Sequence, residues 1–160
     1  MTELRRLGFL LVLGVFLADR LSKWWIVEVY DLPARGSVPV LPFLDLSMVW
    51  NQGMSMGLFR ADSDAARYAL IAVTGAVAIG LAIWIWRAKE KFLVLALGLV
   101  VGGAAGNIWD RFAYGAVADF IHLHALGYSF FVFNLADSAI SIGVAMLLWD
   151  ALLSTQKTNT

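Results

Sequence analysis

The chain has 160 residues, is 61% hydrophobic and 15% charged, and has a mean hydropathy of +0.76 with a formal net charge of zero. Soluble domains run near half apolar and about a quarter charged, so this composition describes a membrane protein, sized for a few spans and short loops in one domain, 1–160. Zero net charge argues against nucleic acid as a partner, and the lack of cysteine removes disulfides, thiolate nucleophiles and thiolate metal sites.

A membrane-spanning helix needs about 20 mostly apolar residues. The first such stretch is 7–27. It follows Arg5 and Arg6, as a signal peptide would, but it is too long for a signal-peptide core and lacks a small-x-small cleavage site leading into soluble sequence, so it reads as a retained span. Within it Asp19 and Lys23 stand four apart, acid before base, the favourable order on a helix. Arg20 lies between them on another face. The pair reads as structural support, with a snorkelling lysine or a tether to the outer loops. Residues 38–40 and 43–50 are β-prone, with Leu44, Leu46 and Met48 alternating with Asp45 and Ser47. Asn51-Gln52-Gly53 then has the composition of a turn.

The second and third spans, 68–86 and 92–109, are joined by the tight charged run 87–91. Gly98, Gly102 and Gly106 line one face of the third and let a neighbouring backbone approach. Gly103, Asn107 and Arg111 form a parallel stripe. Asn107, Asp110 and Arg111 gather polar groups at one helix end, either a capped terminus or a network bracing a site. Residues 116–123 and 128–133 are strand-like, punctuated by Gly115 and Gly127. The fourth span is 136–153, and residues 154–160 are expected to lack fixed structure. The fold class is therefore an all-α membrane protein: a four-transmembrane-helix bundle with a small β-platform on its outer face. Open strand edges there must lie in water or against protein, because lipid cannot satisfy them.

Lys and Arg mark the cytoplasmic side. Arg5, Arg6, Arg87, Lys89, Lys91 and Lys157 all fall on one side of a four-span chain, while Asp31, Asp45, Asp62, Asp64 and Asp119 fall mainly on the other. Both termini are thus expected in the cytoplasm, with Asp119 and Asp137 facing out, toward the periplasm or exterior in a bacterium.

Asp119 and Asp137 carry the chemistry. Each is set in apolar sequence at the edge of a hydrophobic segment, where a carboxylate is costly and marks a functional site. Asp137 has the alternative of capping the fourth span and Asp119 that of a loop carboxylate, but neither alternative covers both. Two carboxylates close together share a proton, the chemistry of an aspartic protease. His122 and His124 make Asp-x-x-His-x-His with Asp119, but on a strand Asp119 points to the opposite face, so no metal site is expected. A small proton-coupled transporter and a non-catalytic membrane scaffold are the alternatives.

These motifs resemble the bacterial lipoprotein signal peptidases, signal peptidase II, over essentially the whole chain. The matching blocks, in order, are Asp19 with Lys23; Asn51 with Gly53; Gly102, Gly103, Gly106, Asn107, Asp110 and Arg111; Val117, Asp119 and Phe120; and Phe133, Asn134, Ala136 and Asp137. Residues 54–58 depart from the family's small residues and phenylalanine, with Phe59 later, and position 20 is Arg where glutamine is common. The resemblance implies an enzyme of the bacterial inner membrane. It would remove signal peptides from diacylglyceryl-modified prolipoproteins, cutting before the lipidated cysteine, and would be inhibited by globomycin-type cyclic peptides. It implies Asp119 and Asp137 as the catalytic pair, with Asn51, Gly53, Gly103, Asn107, Asp110, Arg111, Asn134 and Ala136 supporting the site or contacting substrate. No metal or organic cofactor is implied.

Overall fold

The apolar stretches become helices and the alternating ones strands. The computed structural model describes residues 2–53, 64–125 and 128–158. Helix α1 (Thr2–Trp24) continues into a five-residue π-helical turn, Trp25–Val29, and a short helix α2 (Leu32–Arg35). Strands β1 (Ser37–Leu41) and β2 (Leu44–Asn51) follow, then α3 (Asp64–Arg87), α4 (Lys91–Ala113), β3 (Val117–Ala125), β4 (Tyr128–Phe133) and α5 (Leu135–Thr158).

All four expected strands are present. Three of the four expected spans lie within α3, α4 and α5, which are long and apolar enough to cross a membrane up to Leu153 in α5. The remaining one, the first span at 7–27, falls on α1 and the π-helical turn, where Asp19, Arg20 and Lys23 crowd the last two turns of α1. The molecule is thus a mostly helical multi-pass membrane protein with a small antiparallel sheet, not purely α.

Some boundaries differ from expectation. Helix α4 runs past Trp109 to Ala113, so Asp110 and Arg111 lie inside the helix, which gives way at Gly115 with its φ of +79°. Helix α5 continues to Thr158 through residues expected to lack structure, since neither Gly nor Pro follows Leu153 to stop it. Helix α2 was not foreseen. Asp31, at φ 53°, turns the chain into it, Pro33 sits in its first turn and Gly36 closes it at φ 73°. Residues 54–59, Asp62, Gly127 and residues 159–160 lie outside the described residues.

Helix α4 is the centre, packed against α1, α3 and α5. Val94, Ala96, Leu97, Val100 and Val101 are buried along it. Its glycines set two distances of approach. Gly98 and Gly102 face α1, where added methyls would meet Leu11, Val12 and Val15, and Gly106 faces Asp19. Gly103 faces the start of α5. The opposite surfaces of the bundle expose Leu10, Leu13 and Leu17 on α1 and Val73, Val77 and Ile79 on α3, the apolar skin that a bilayer covers.

The sheet has the order β1-β2-β3-β4, antiparallel throughout. Ile26 of the π-helical turn, Leu32 of α2 and Phe120 of β3 form a buried cluster that docks the sheet on the end of α1. An irregularity in β2 between Leu46 and Val49 resets its pairing, so that Val49 lies opposite Asp119 and Asn51 opposite Val117. The sheet thereby brings Asp119 and Asn51 to the end of the bundle where α4 finishes and α5 begins.

A methyl at Gly103 would lie 2.5 Å from the Ala136 carbonyl oxygen and 2.9 Å from Ile140 Cγ1, while one at Gly75 meets nothing within 4 Å. Gly103→Ala is expected to lower stability by ~1–3 kcal/mol through overpacking. Gly75→Ala is expected to be neutral or to add up to ~1 kcal/mol through helix propensity. Thermal unfolding of the two variants in detergent checks both.

Candidate active site

The last turns of α1 and α4, the first turn of α5 and strands β2 and β3 meet in one polar cluster. It begins at Lys23, whose side chain is 0% exposed. Lys23 Nζ lies 2.9 Å from Asp19 Oδ2 and 2.8 Å from Asp110 Oδ2, and donates to Asn107 Oδ1 at 3.2 Å. Asp19 and Asp110 are fully buried too. An ammonium out of water needs such partners, since an unpaired buried charge is prohibitively costly.

From this hub the network reaches both candidate carboxylates. Asn107 Nδ2 donates to Asp137 Oδ1 at 2.8 Å. Asn134 Nδ2 donates to Asp119 Oδ1 at 2.6 Å and to Asn107 Oδ1 at 3.3 Å. Asn51 Nδ2 donates to Asp119 Oδ2 at 3.0 Å, and the Gly53 amide holds Asn51 Oδ1 at 3.1 Å, which fixes the way that amide faces. Asp19 Oδ1 accepts from the Ala136 amide at 3.1 Å, and Asp110 Oδ2 from the Ala118 amide at 3.2 Å. Each acid of the hub thus grips the backbone beside one member of the pair.

The start of α5 is a capping box. Asn134 Oδ1 accepts from the Asp137 amide at 3.0 Å, and Asp137 Oδ2 accepts from the Asn134 amide at 3.2 Å. Asn134, not Asp137, is therefore the capping residue. Asp137 lies three residues on, with its second oxygen left for Asn107. Asp119 is no loop carboxylate either. It is on β3 and only 2% exposed. Burial pushes its carboxyl up to about 6. The Asn51 hydrogen bond works against that rise, the charge of Asp137 adds to it, and the Asn134 bond and Lys23 oppose it.

Of the expected site residues, Asp119, Asp137, Asn51, Gly53, Asn107, Asp110, Asn134, Ala136, Asp19 and Lys23 all join this hydrogen-bonded cluster. Gly103 contributes by close packing against Ala136. Arg111 donates to the Asn107 carbonyl at 3.3 Å, while its Nε is buried without a protein partner. Arg20 departs from expectation. It is paired with Asp110 Oδ1, not turned away from the Asp19–Lys23 system. The sequence could not reveal this, because the acceptor is 90 residues away. The histidines stand apart. His124 Nε2 lies 3.2 Å and His122 Nδ1 3.9 Å from Asp45 oxygens, and His122 Nε2 lies 2.7 Å from Ser129 Oγ. Among the described residues no group of three or more His, Asp or Glu is placed to hold a metal ion.

A family model described as signal peptidase (SPase) II matches residues 11–153. The chain belongs to the signal peptidase II family. It is 45% identical over 156 residues to a lipoprotein signal peptidase of Methylocella silvestris, covering 98% of this chain and 91% of that one. It is 49% identical over 151 residues to a lipoprotein signal peptidase of Rhizorhabdus wittichii, covering 93% and 87%. Two solved bacterial membrane enzymes share the fold. One, determined by the in meso method at 2.3 Å, has a TM-score of 0.80 at 28% identity, covering 94% of this chain and 90% of that one. The other, at 1.9 Å, has a TM-score of 0.76 at 29% identity, covering 91% and 92%.

In this signal peptidase II the raised Asp119 carboxyl has a consequence for stability. The folded chain keeps that proton up to about pH 6, whereas the unfolded chain releases it near pH ~4. Between those values the folded state binds more protons, so stability falls as pH rises from about 4 to about 6, by on the order of 3 kcal/mol. Melting curves in detergent should show this slope in the wild type and a flatter one in Asp119→Asn. Equal slopes would mean that Asp119 does not titrate there.

Proposed function

We propose that this chain is an aspartic endopeptidase that removes signal peptides from diacylglyceryl-modified prolipoproteins, cutting before the lipidated cysteine, with Asp119 and Asp137 as the catalytic pair. The observation that carries the reading is the joint hold of Asn134 on both carboxylates. Its side-chain amide donates to Asp119 and its backbone amide to Asp137. The two acids are thus built into one unit.

The chemistry follows from the pair. The ionised member takes a proton from a water, whose oxygen adds to the scissile carbonyl carbon. The protonated member gives its hydrogen to the carbonyl oxygen. Collapse of the tetrahedral adduct breaks the C–N bond: one hydroxyl of the adduct returns its proton to the carboxylate that gave it as the C=O bond reforms, and the departing amine takes the proton held by the base. Two carboxylates that feel each other's charge, as Asp119 feels that of Asp137, cannot both ionise cheaply, so the proton belongs to the pair and not to either residue. Asn51, Asn107 and Asn134 hold the carboxylates, and Arg111, anchored on the Asn107 carbonyl, supplies positive charge beside them. No metal or organic cofactor enters the reaction.

The proposal includes a single peptidase domain, 1–160, in the bacterial inner membrane, with α1 as the first of four spans and both termini cytoplasmic. The positions of Arg5, Arg87 and Lys91 at the bundle end remote from the cluster support this. Arg5 Nε donates to the Trp86 carbonyl at 2.8 Å there, with its guanidinium over the Trp86 ring. The catalytic pair then faces the periplasm, where water reaches it while the lipidated substrate enters from the side. Globomycin-type peptides would compete for the same site.

A gel-shift assay on a diacylglyceryl-modified prolipoprotein in detergent tests the reading. Asp119→Asn and Asp137→Asn should each fold and lose at least ~10²-fold in cleavage, and EDTA should change nothing. A folded double variant that still cleaves would refute the aspartic pair. Activity lost in EDTA and restored by zinc would redirect attention to His122 and His124.

A further inference from the structure

Lys23 is a single ammonium facing two buried carboxylates, Asp19 and Asp110. Those three groups alone carry one uncompensated negative charge, with no exposure to water on any of them. The missing charge comes from Arg20, whose Nη1 pairs with Asp110 Oδ1. Asp110 is thus held on both oxygens, one by Arg20 and the other by Lys23 and the Ala118 amide. Arg20 has a second contact. Its guanidinium lies 5.8 Å from the centre of the Tyr114 ring, and Tyr114 packs at 5.6 Å on Trp50, the residue before Asn51.

Three short paths therefore lead from Arg20 to the carboxylate pair. Asp110 and the Ala118 amide set the strand position of Asp119. Tyr114 and Trp50 support Asn51, which donates to Asp119. The third path is competitive. Lys23 divides its three protons among Asp19, Asp110 and Asn107. Without Arg20, Asp110 would draw Lys23 toward itself and away from Asn107, whose amide holds Asp137. We infer that Arg20 is a positioning residue of the peptidase: by balancing the charge of Asp110, it keeps the donors to Asp119 and Asp137 in place without touching either carboxylate. This rests on the aspartic-pair reading given above.

The test compares wild type with Arg20→Met, Arg20→Lys and the charge-balanced double variant Arg20→Met/Asp110→Asn. kcat, KM and the pH–rate profile are measured on a diacylglyceryl-modified prolipoprotein in detergent and normalised to folded protein by melting analysis. Arg20→Met should lower kcat tenfold or more, change KM by less than about threefold, and move the pH profile upward, because excess negative charge beside the pair retains its proton. Arg20→Lys should keep most of kcat and the wild-type profile. The double variant should recover kcat relative to Arg20→Met and return the profile, since Lys23 and Asp19 then balance. A folded Arg20→Met with wild-type kcat and profile overturns the inference. So does a double variant worse than the single with no return of the profile, the pattern of lost packing alone. Should Arg20→Met fail to fold, Arg20→Lys and the double variant decide, and a tenfold fall of kcat in both overturns the inference. Asp119→Asn and Asp137→Asn run beside them. If these still cleave, the aspartic-pair reading has failed; if they are inactive while Arg20→Met is unaffected, only the positioning role has.

Discussion

A lysine with no access to water is the constraint from which the rest of this structure follows. The Lys23 ammonium needs three acceptors at once, and no single helix can supply them. Asp19 comes from its own helix, Asp110 and Asn107 from α4. Satisfying all three fixes the rotation and height of α1 against α4 to within hydrogen-bond tolerance. The glycines make this possible. Gly98, Gly102 and Gly106 remove the side chains that would hold α1 away, and Gly106 leaves room for the Asp19 carboxylate itself. A packing stripe and a polar hub are therefore one device, the first setting the distance at which the second can close.

The same hub explains why a sheet belongs to a helical membrane protein. A helix end presents its backbone donors in one direction only, as the Ala136 and Asp137 amides at the start of α5 do for Asp19 and Asn134. A second carboxylate facing the first must come from another element. Strand β3 supplies it, because a strand can run past the helix end and turn one side chain inward. Its backbone is anchored at Ala118 by Asp110, and its apolar face is anchored by Phe120 in the cluster with Ile26 and Leu32. The strand pairs with β2 on one side and β4 on the other, so its backbone finds partners within the sheet and not in hydrocarbon.

Much of this was legible in the sequence because each signal was local. Apolar runs of span length gave the helices, alternation around Asp45 and Ser47 gave β2, and a carboxylate inside Val-Ala-Asp-Phe-Ile marked Asp119. Asn134, three residues before Asp137, already had the spacing to share a helix end. What could not be read was long-range or conformational. Nothing near Arg20 names Asp110 as its partner, and a helical wheel of α1 alone cannot show a residue that α4 supplies. The choice of Asn134 over Asp137 as the capping residue depends on where α5 begins, by one turn. Helix α2 depends on a left-handed Asp31, which local composition does not announce. The histidines found Asp45, a residue on the neighbouring strand, because register and not sequence proximity decides what a strand residue faces.

Asp119 is held between opposed demands. Burial asks it to keep a proton, and the nearby charge of Asp137 asks the same. Asn51 and Asn134 each present an amide donor to one of its oxygens, an arrangement suited to a carboxylate that only accepts. Burial prevails in part, and the outcome is a group that changes state near pH 6 instead of near ~4. For a general acid or base this is the useful range, because the proton can be taken or given at little cost. An apolar replacement of the asparagines would leave the acid locked in its neutral form, and a more polar pocket would leave it permanently charged. In the proposed aspartic mechanism the asparagines are therefore as much a part of the chemistry as the aspartates: they offset the burial that by itself would keep Asp119 neutral.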